Sequence, residues 1–520
     1  MARKLHRRLL LRGTLEAIDP ISIGGAAAGI DVDLPMARDG EGRAYVPGTS
    51  LAGVLRAWMR GRLHRVDTDR WWGFQGPEGS DIGAASRIVV EDAPVEAARS
   101  EIWHGTGIDR RTGTVAEGIK FEREVLPKGT SFPLRLSVDV EGDDTLGTAR
   151  GALWHLVTAL REEGITLGAA GTRGMGRIGL GESVACLEQD WSTRAGVLTV
   201  LADPDDGSDN RFVWEAAAAE VPLTPSNVLD IEIEWRPLGP LMVKAPRDGL
   251  AVDALPLVTA DGDEQRMVLP GSAIKGVLRS QAERILRTVW QLDLAPNAEH
   301  LEQVDLPLVR ELFGIARPAG HGREAFGRRG AIEVSSCYAC APRITAAQWN
   351  AVADAEPHDD QHPGSPLPPL LDELHLPDFQ HAYHAAVDRW TGGAADQMLF
   401  SGLEPFEVTW ESICLRLDLC RLSSPGAGLA LLFLVLRDLC AGGLGLGWGV
   451  NRGYGALKVT AIDINGPLPG PNPPVMRHIE VADWKPVLDG WRDWLRCMEG
   501  TWRIWLEEQR QETTHGHDAA

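Results

Sequence analysis

The run Gly171-Thr-Arg-Gly-Met-Gly-Arg-Ile-Gly179 contains a literal GxGxxG at Gly174, Gly176 and Gly179. Between a strand and a helix, that pattern seats the pyrophosphate of a dinucleotide on the helix N-terminus. Here the flanks are reversed. ARGALWHLVTALREEG reads as a helix before the glycines, and RIGLGESVACLEQ reads as a strand after them. A later run, LGLGWGVNRGYGALKV from Leu444, has the same helix–loop–strand order and lacks the third glycine. The dinucleotide reading therefore fails. Such a loop still lets backbone N–H groups and a flanking arginine come close to a phosphodiester. Gly171, Arg173, Gly174 and Gly176, with Arg177, are placed for that in the first run, and Arg452, Gly453 and Gly455 in the second. The competing reading is a tight turn that needs positive φ.

Two further patterns carry chemistry. Pro47-Gly-Thr-Ser50 and Pro270-Gly-Ser272 are helix-start signals with Ser or Thr available as N-cap. A helix N-terminus beside Gly and Ser is a phosphate site, to which Arg56, Arg60, Lys275 and Arg279 can add charge, unless they form a solvated face. Cys337-Tyr-Ala-Cys340 is a lone CxxC with His321, His358, His362, His375, His381 and His384 in the neighbourhood. Two thiolates and two imidazoles satisfy tetrahedral Zn²⁺; the alternative is a pair of semi-buried thiols at a strand end.

The elements that position these residues occur twice. DLPMARDGEGRAYVPGTSLAGVLR from Asp33 matches DALPLVTADGDEQRMVLPGSAIKGVLR from Asp253. Each is followed by a helical stretch, an aromatic-Gly element (WWGFQG, LFGIAR), a β-patterned run (SRIVVEDA, GAIEVSS), a DRxTG box at Asp109 or Asp388, and the glycine loop. Asp33 and Asp253 are 220 residues apart, whereas Asp109 and Asp388, like Gly174 and Gly453, are 279 apart. The second copy thus carries about 60 extra residues between its PGS and DRWTG boxes. The expected organisation is a first domain over 1–202 and an acidic linker over 203–226. A second domain follows over 227–480, with an insertion around 285–385, and then an amphipathic, Trp-rich helix and tail over 481–520. That helix either docks on the second domain or contacts a neighbouring subunit.

Composition narrows the class. The chain has 520 residues, 44% hydrophobic and 24% charged, with no eighteen-residue apolar run, so no membrane partner is expected. The apolar run near the N-terminus is too short for a secretory signal, and seven scattered cysteines suggest no disulfide framework. A cytoplasmic location is expected. A net charge of −21 argues against a whole-surface nucleic-acid binder and leaves room for one basic channel.

The Asp loop before a PGS box, the DRxTG element and the late GxxRGxG loop together resemble the RAMP superfamily of CRISPR proteins. More narrowly, they resemble the "Cas seven" backbone subunits of type III effector complexes, and the doubled arrangement is similar to the fused backbone subunits of subtype III-D. The resemblance implies an α+β fold of two tandem modified ferredoxin-like (RRM-like) domains with thumb-like insertions around DRRTG and DRWTG. It implies guide CRISPR RNA, target RNA and other effector-complex subunits as partners. Ser50, Arg56, Lys275, Arg279 and the glycine loops would hold the guide backbone. Arg110 and Arg389 would contact phosphate or pair with the adjacent Asp, and Trp390 would stack on a base or be buried. His104 and His384, just before the boxes, would stack or pack, or serve as general bases.

In cleaving members a loop Asp is needed for Mg²⁺-dependent (or other divalent-dependent) scission of target RNA. It maps onto Asp33, with Asp39 as the second acid and Asp31 as the alternative, and onto Asp253, with Asp248 as backup. Loop aspartates also serve as turn formers. Some fused members carry structural Zn²⁺, which bears on Cys337 and Cys340. The implied activity is a target-RNA endoribonuclease within a complex; the alternative is a non-catalytic RNA-binding scaffold.

Overall fold

The computed structural model describes residues 4–25, 32–63, 68–77, 80–96, 100–142, 145–205, 207–295, 297–316, 327–356, 365–475, 478–483 and 489–517, with side chains left out at 397, 483 and 511–517. Asp31, His321, His358 and His362 lie outside the described residues. The chain forms two compact units. Met1–Trp103, Phe121–Gly171 and Met175–Ser226 make the first, and His104–Lys120, Thr172–Gly174 and Asn227–Ala520 make the second.

From the N-terminus the elements are β1 (Arg7–Ala17), α1 (Gly48–Arg62), β2 (Ile88–Val90), the hairpin strands β3 (Glu101–Ile108) and β4 (Val115–Val125), β5 (Ser131–Val140), α2 (Leu146–Glu162) and β6 (Arg177–Asp190). The antiparallel sheet runs β6-β1-β5-β2. Its inner face follows the period of two: Phe132, Leu134, Leu136, Val138 and Val140 of β5 are buried. Leu51, Leu55 and Met59, four residues apart along α1, give that helix its buried stripe.

The stretch 203–226 is not a free linker. It holds a short strand, Ser208–Asp209, paired with β6, and α3 (Arg211–Ala218), which packs on α2. Trp214 is 0% exposed and its indole N–H donates to Glu188. Acidic turn formers on either side hid one well-anchored aromatic.

The second unit repeats the plan with β7 (Val228–Pro237), α4 (Gly271–Trp290), β8 (Ile332–Val334), β9 (Cys337–Ala341), the hairpin strands β10 (Phe379–Val387) and β11 (Ala394–Pro405), β12 (Ile413–Asp418), α5 (Pro425–Cys440) and β13 (Leu457–Asn465). Its sheet runs β13-β7-β12-β8, the same order. β7 alternates buried Leu229, Ile231, Ile233 and Trp235 with Asp230, Glu232 and Glu234. Even the register slip recurs, between Gly13 and Leu15 in β1 and between Glu234 and Trp235 in β7. The extra residues of this copy are not one block over 285–385, because core strand β8 lies inside that range and divides them. Last comes α6 (Arg492–His517), which docks on this unit: Trp494 meets Phe433 of α5 at 5.9 Å and Trp505 meets Trp290 at 5.6 Å.

Candidate nucleic-acid interface

Both DRxTG boxes are hairpin tips. Asp109 Oδ1 accepts from the backbone N–H of Arg111 and Thr112, and Asp388 Oδ1 does the same for Trp390 and Thr391. Gly113 and Gly392 both sit at φ +71°. Asp and Gly therefore build the turn, and the intervening side chains are what the tip presents. In the second copy these are Arg389 and Trp390, the latter 96% exposed. In the first, Arg110 Nε donates to Glu283 Oε2 at 2.6 Å and Gln303 Nε2 donates to Asp109 Oδ2. That bond from Gln303 holds the Asp109 carboxyl well below the usual range.

The glycine loops are a matched pair. Gly168, Gly174 and Gly176 have positive φ, and so do Gly447, Gly453 and Gly455. A Cβ on Gly176 would lie 2.1 Å from Leu167 O, and one on Gly455 would lie 2.1 Å from Leu446 O. At these two positions the glycines make the turn. Gly174 is pressed against Ser336, whereas Gly453 faces open space. Neither helix after a PGS box is capped by its own Ser or Thr: Pro47 and Pro270 hold the N-cap positions, and Ser50 lies inside α1. Instead Gly48 N donates to Asp92 Oδ1, and Gly271 N donates to Ser336 Oγ, which in turn donates to Gly174 O. The caps come from distant sequence, which no local pattern announces.

Arg173, Lys275, Arg279 and Arg110 come together in the second unit. Lys275 is 6% exposed, and its Nζ donates to Thr172 O at 3.2 Å and Ile332 O at 2.8 Å. Burial, then Arg173 and Arg279, push its pKa down to about 7. Arg279 donates to Glu283, Gly314 O and Val304 O. Glu283 thus neutralises two of the expected phosphate contacts, Arg110 and Arg279, and Arg56 pairs with Asp69 at 3.0 Å. Arg173 is exposed and makes no ion pair among the described residues. Arg452 occupies the same loop position in the second copy. It too is exposed, and its guanidinium lies over Phe400 at 4.7 Å and Trp448 at 5.5 Å. Among the described residues these two arginines make no ion pair, and burial and Arg279 push the Arg173 pKa down.

The loop aspartates are also equivalent. Asp33 Oδ2 accepts from Glu122 N at 2.8 Å, and Asp253 Oδ2 accepts from Ser401 N at 2.7 Å. Glu122 on β4 and Ser401 on β11 are 279 residues apart, so each carboxylate meets the same point of its hairpin's returning strand. Both aspartates are exposed. Asp39 instead closes a turn with Arg43, and Asp248 pairs with Lys244 at 3.0 Å.

Metal ligation has less support. Among the described residues no group of three His, Cys, Asp or Glu side chains could hold an ion. Cys337 is buried, its thiol donates to Glu411 O, and burial pushes its pKa up, while Cys340 is exposed. Zn²⁺ needs thiolates; of the candidate histidines, His381 Nδ1 bonds Ser365 and His384 bonds Glu404. Among the described residues, a divalent ion beside Asp33 or Asp253 would have one carboxylate from the protein, a donor set that Mg²⁺ completes with phosphate and water.

Among the described residues no helix is long and apolar enough to cross a membrane. One curated relative, the CRISPR system Cms endoribonuclease Csm3 of Methanocaldococcus jannaschii, is 26% identical over 201 residues, covering 34% of this chain and 79% of its own. The family model of the RAMP superfamily matches residues 14–179 and again 256–458, one match for each repeat. Two sheets with one strand order, two glycine loops and two hairpin-tethered aspartates follow from that doubling: the chain belongs to the RAMP superfamily.

Proposed function

We propose that the chain is a tandem backbone subunit of a type III CRISPR effector complex, of subtype III-D. It grips guide RNA with its two glycine loops and cleaves complementary target RNA at Asp33 and Asp253. The observation that carries this is the repeated placement of one exposed carboxylate against the same backbone N–H of each hairpin. Two equivalent sites, one in each repeat, suit repeated cuts along one RNA. The β-α-β-β-α-β order with an antiparallel 4-1-3-2 sheet supports a ferredoxin-like domain in each repeat. The hairpins β3–β4 and β10–β11 are the thumbs of this reading, with Trp390 able to stack between bases. The complex would act in the cytoplasm with further effector subunits.

Chemically, the bond to Glu122 or Ser401 fixes each carboxylate's orientation. The other oxygen is left to orient a 2′-hydroxyl or water towards phosphorus. Asp33 and Asp253 would also hold Mg²⁺, which supplies charge stabilisation at the phosphate. Arg173 and Arg452 hold the backbone. A second reading, a scaffold without cleavage, draws on the lack of a three-ligand cluster among the described residues.

RNA gripping is tested by titrating labelled single-stranded RNA at several salt concentrations. Arg173→Ala and Arg452→Ala should each lower the slope of log K against log salt by about one. Slopes unchanged in both variants would remove the loops from the interface.

A further inference from the structure

The second glycine loop carries a polar cluster that the first lacks. Glu404 of β11 is 6% exposed, and a buried carboxylate is costly unless it is held by donors. Tyr454 OH, from the loop's Gly-Tyr-Gly, donates to Glu404 Oε1, and His384 Nε2 of β10 lies 2.8 Å from the same oxygen and 2.7 Å from Tyr454 OH. One side chain from β10 and one from the loop thus meet on a single carboxylate oxygen of β11. Counting back 279 residues, the first copy has Gly105, Val125 and Met175 at these positions, none of which can make the bonds.

From this cluster a chain of ring contacts leads to Arg452. His384 stacks on Phe400 at 5.1 Å and 21°, and Tyr454 meets Trp448 edge-on at 5.3 Å. Phe400 and Trp448 meet at 6.4 Å and 89°. Their faces carry the Arg452 guanidinium. An arginine on a mobile stem loses rotamer freedom on binding a phosphate; one already laid on two rings has lost it beforehand. Burial and Glu404 also hold the Tyr454 phenol well above its usual range, so it stays a donor.

We propose that Glu404, His384 and Tyr454 are positioning residues that lock the second hairpin to the second glycine loop and thereby hold Arg452 ready for an RNA phosphate. The proposal rests on the RNA-gripping reading above. It makes the two repeats unequal: seating the second hairpin and gripping the backbone become one event, whereas in the first repeat they are not joined this way.

The test is a double-mutant cycle on the full chain, with labelled single-stranded RNA as the probe and thermal melting as the folding control. Tyr454→Phe removes one oxygen atom, and Glu404→Gln keeps the side-chain shape. Each should weaken binding about threefold to tenfold, of the order of one ordinary hydrogen bond's net contribution. Each should also lower the salt slope as Arg452→Ala does. In an Arg452→Ala background neither should cause further loss, while in an Arg173→Ala background both should act in full. Equal losses in the two backgrounds, or wild-type affinity for both variants, would overturn the proposal and leave RNA gripping standing. Wild-type protein that binds no RNA would overturn both.

Discussion

Lys275 sets a direct test of the cationic cluster in the second unit. It lies beneath the Thr172–Gly174 segment with Arg173, Arg279 and Arg329 as charged neighbours and Glu333 opposing them. Its pKa falls from 10.5 to about 7. Between those values the unfolded chain binds a proton that the folded protein does not, so stability rises with pH across the window. At about 1.4 kcal/mol per unit, the gain from pH 7 to pH 9 is roughly 2–3 kcal/mol from this one group. Lys275→Met keeps the length of the side chain and removes the titration. Urea unfolding of both proteins, followed by tryptophan fluorescence between about pH 7 and 9, should show the wild type gaining that amount relative to the variant. The absolute stability of the variant matters less, since two carbonyls lose their donor independently of pH. Parallel curves across the window would refute the reasoning, because Lys275 would then carry its charge in both states.

The same cluster predicts that RNA binding weakens as pH rises from about 7 to 9, because a phosphate near Arg173 raises the proton affinity of Lys275; anisotropy titrations at fixed salt would check this. Glu283→Ala should destabilise the protein by about 3–5 kcal/mol in chemical denaturation, since the Arg110 and Arg279 guanidinium groups, both largely buried, lose their shared carboxylate. Gly176→Ala and Gly455→Ala should each cost roughly 2 kcal/mol or more, given positive φ and a carbonyl 2.1 Å from the new Cβ. By contrast, Gly53→Ala and Gly276→Ala, in helices with open space around them, should raise the melting point, by about 0.5–1 kcal/mol of stability each.

The repeat and its offsets were legible because both copies keep the residues that shape loops. Asp33 and Asp253, spaced 220 residues apart, do meet equivalent backbone groups, and the reversed flanks of Gly174 and Gly176 are helix and strand as read. What the residues do was harder to read wherever the partner is distant in sequence. Nothing near Arg110 in the sequence announces Glu283, 173 residues on, with which it pairs. Ser50 looks like a cap until Asp92 is found at Gly48 N, 44 residues away from that glycine. Asp388 makes a turn that leaves Trp390 facing outward. Glu404 carries no local signature at all, since only the fold brings it to Tyr454.

The account's central claim is that each repeat delivers one loop carboxylate to target RNA. The effector complex reconstituted with guide RNA, labelled complementary RNA and Mg²⁺ tests it most directly, comparing the wild type with Asp33→Ala and Asp253→Ala. Each substitution should erase its own cleavage product while target RNA stays bound. An unchanged product ladder from both variants would contradict the claim.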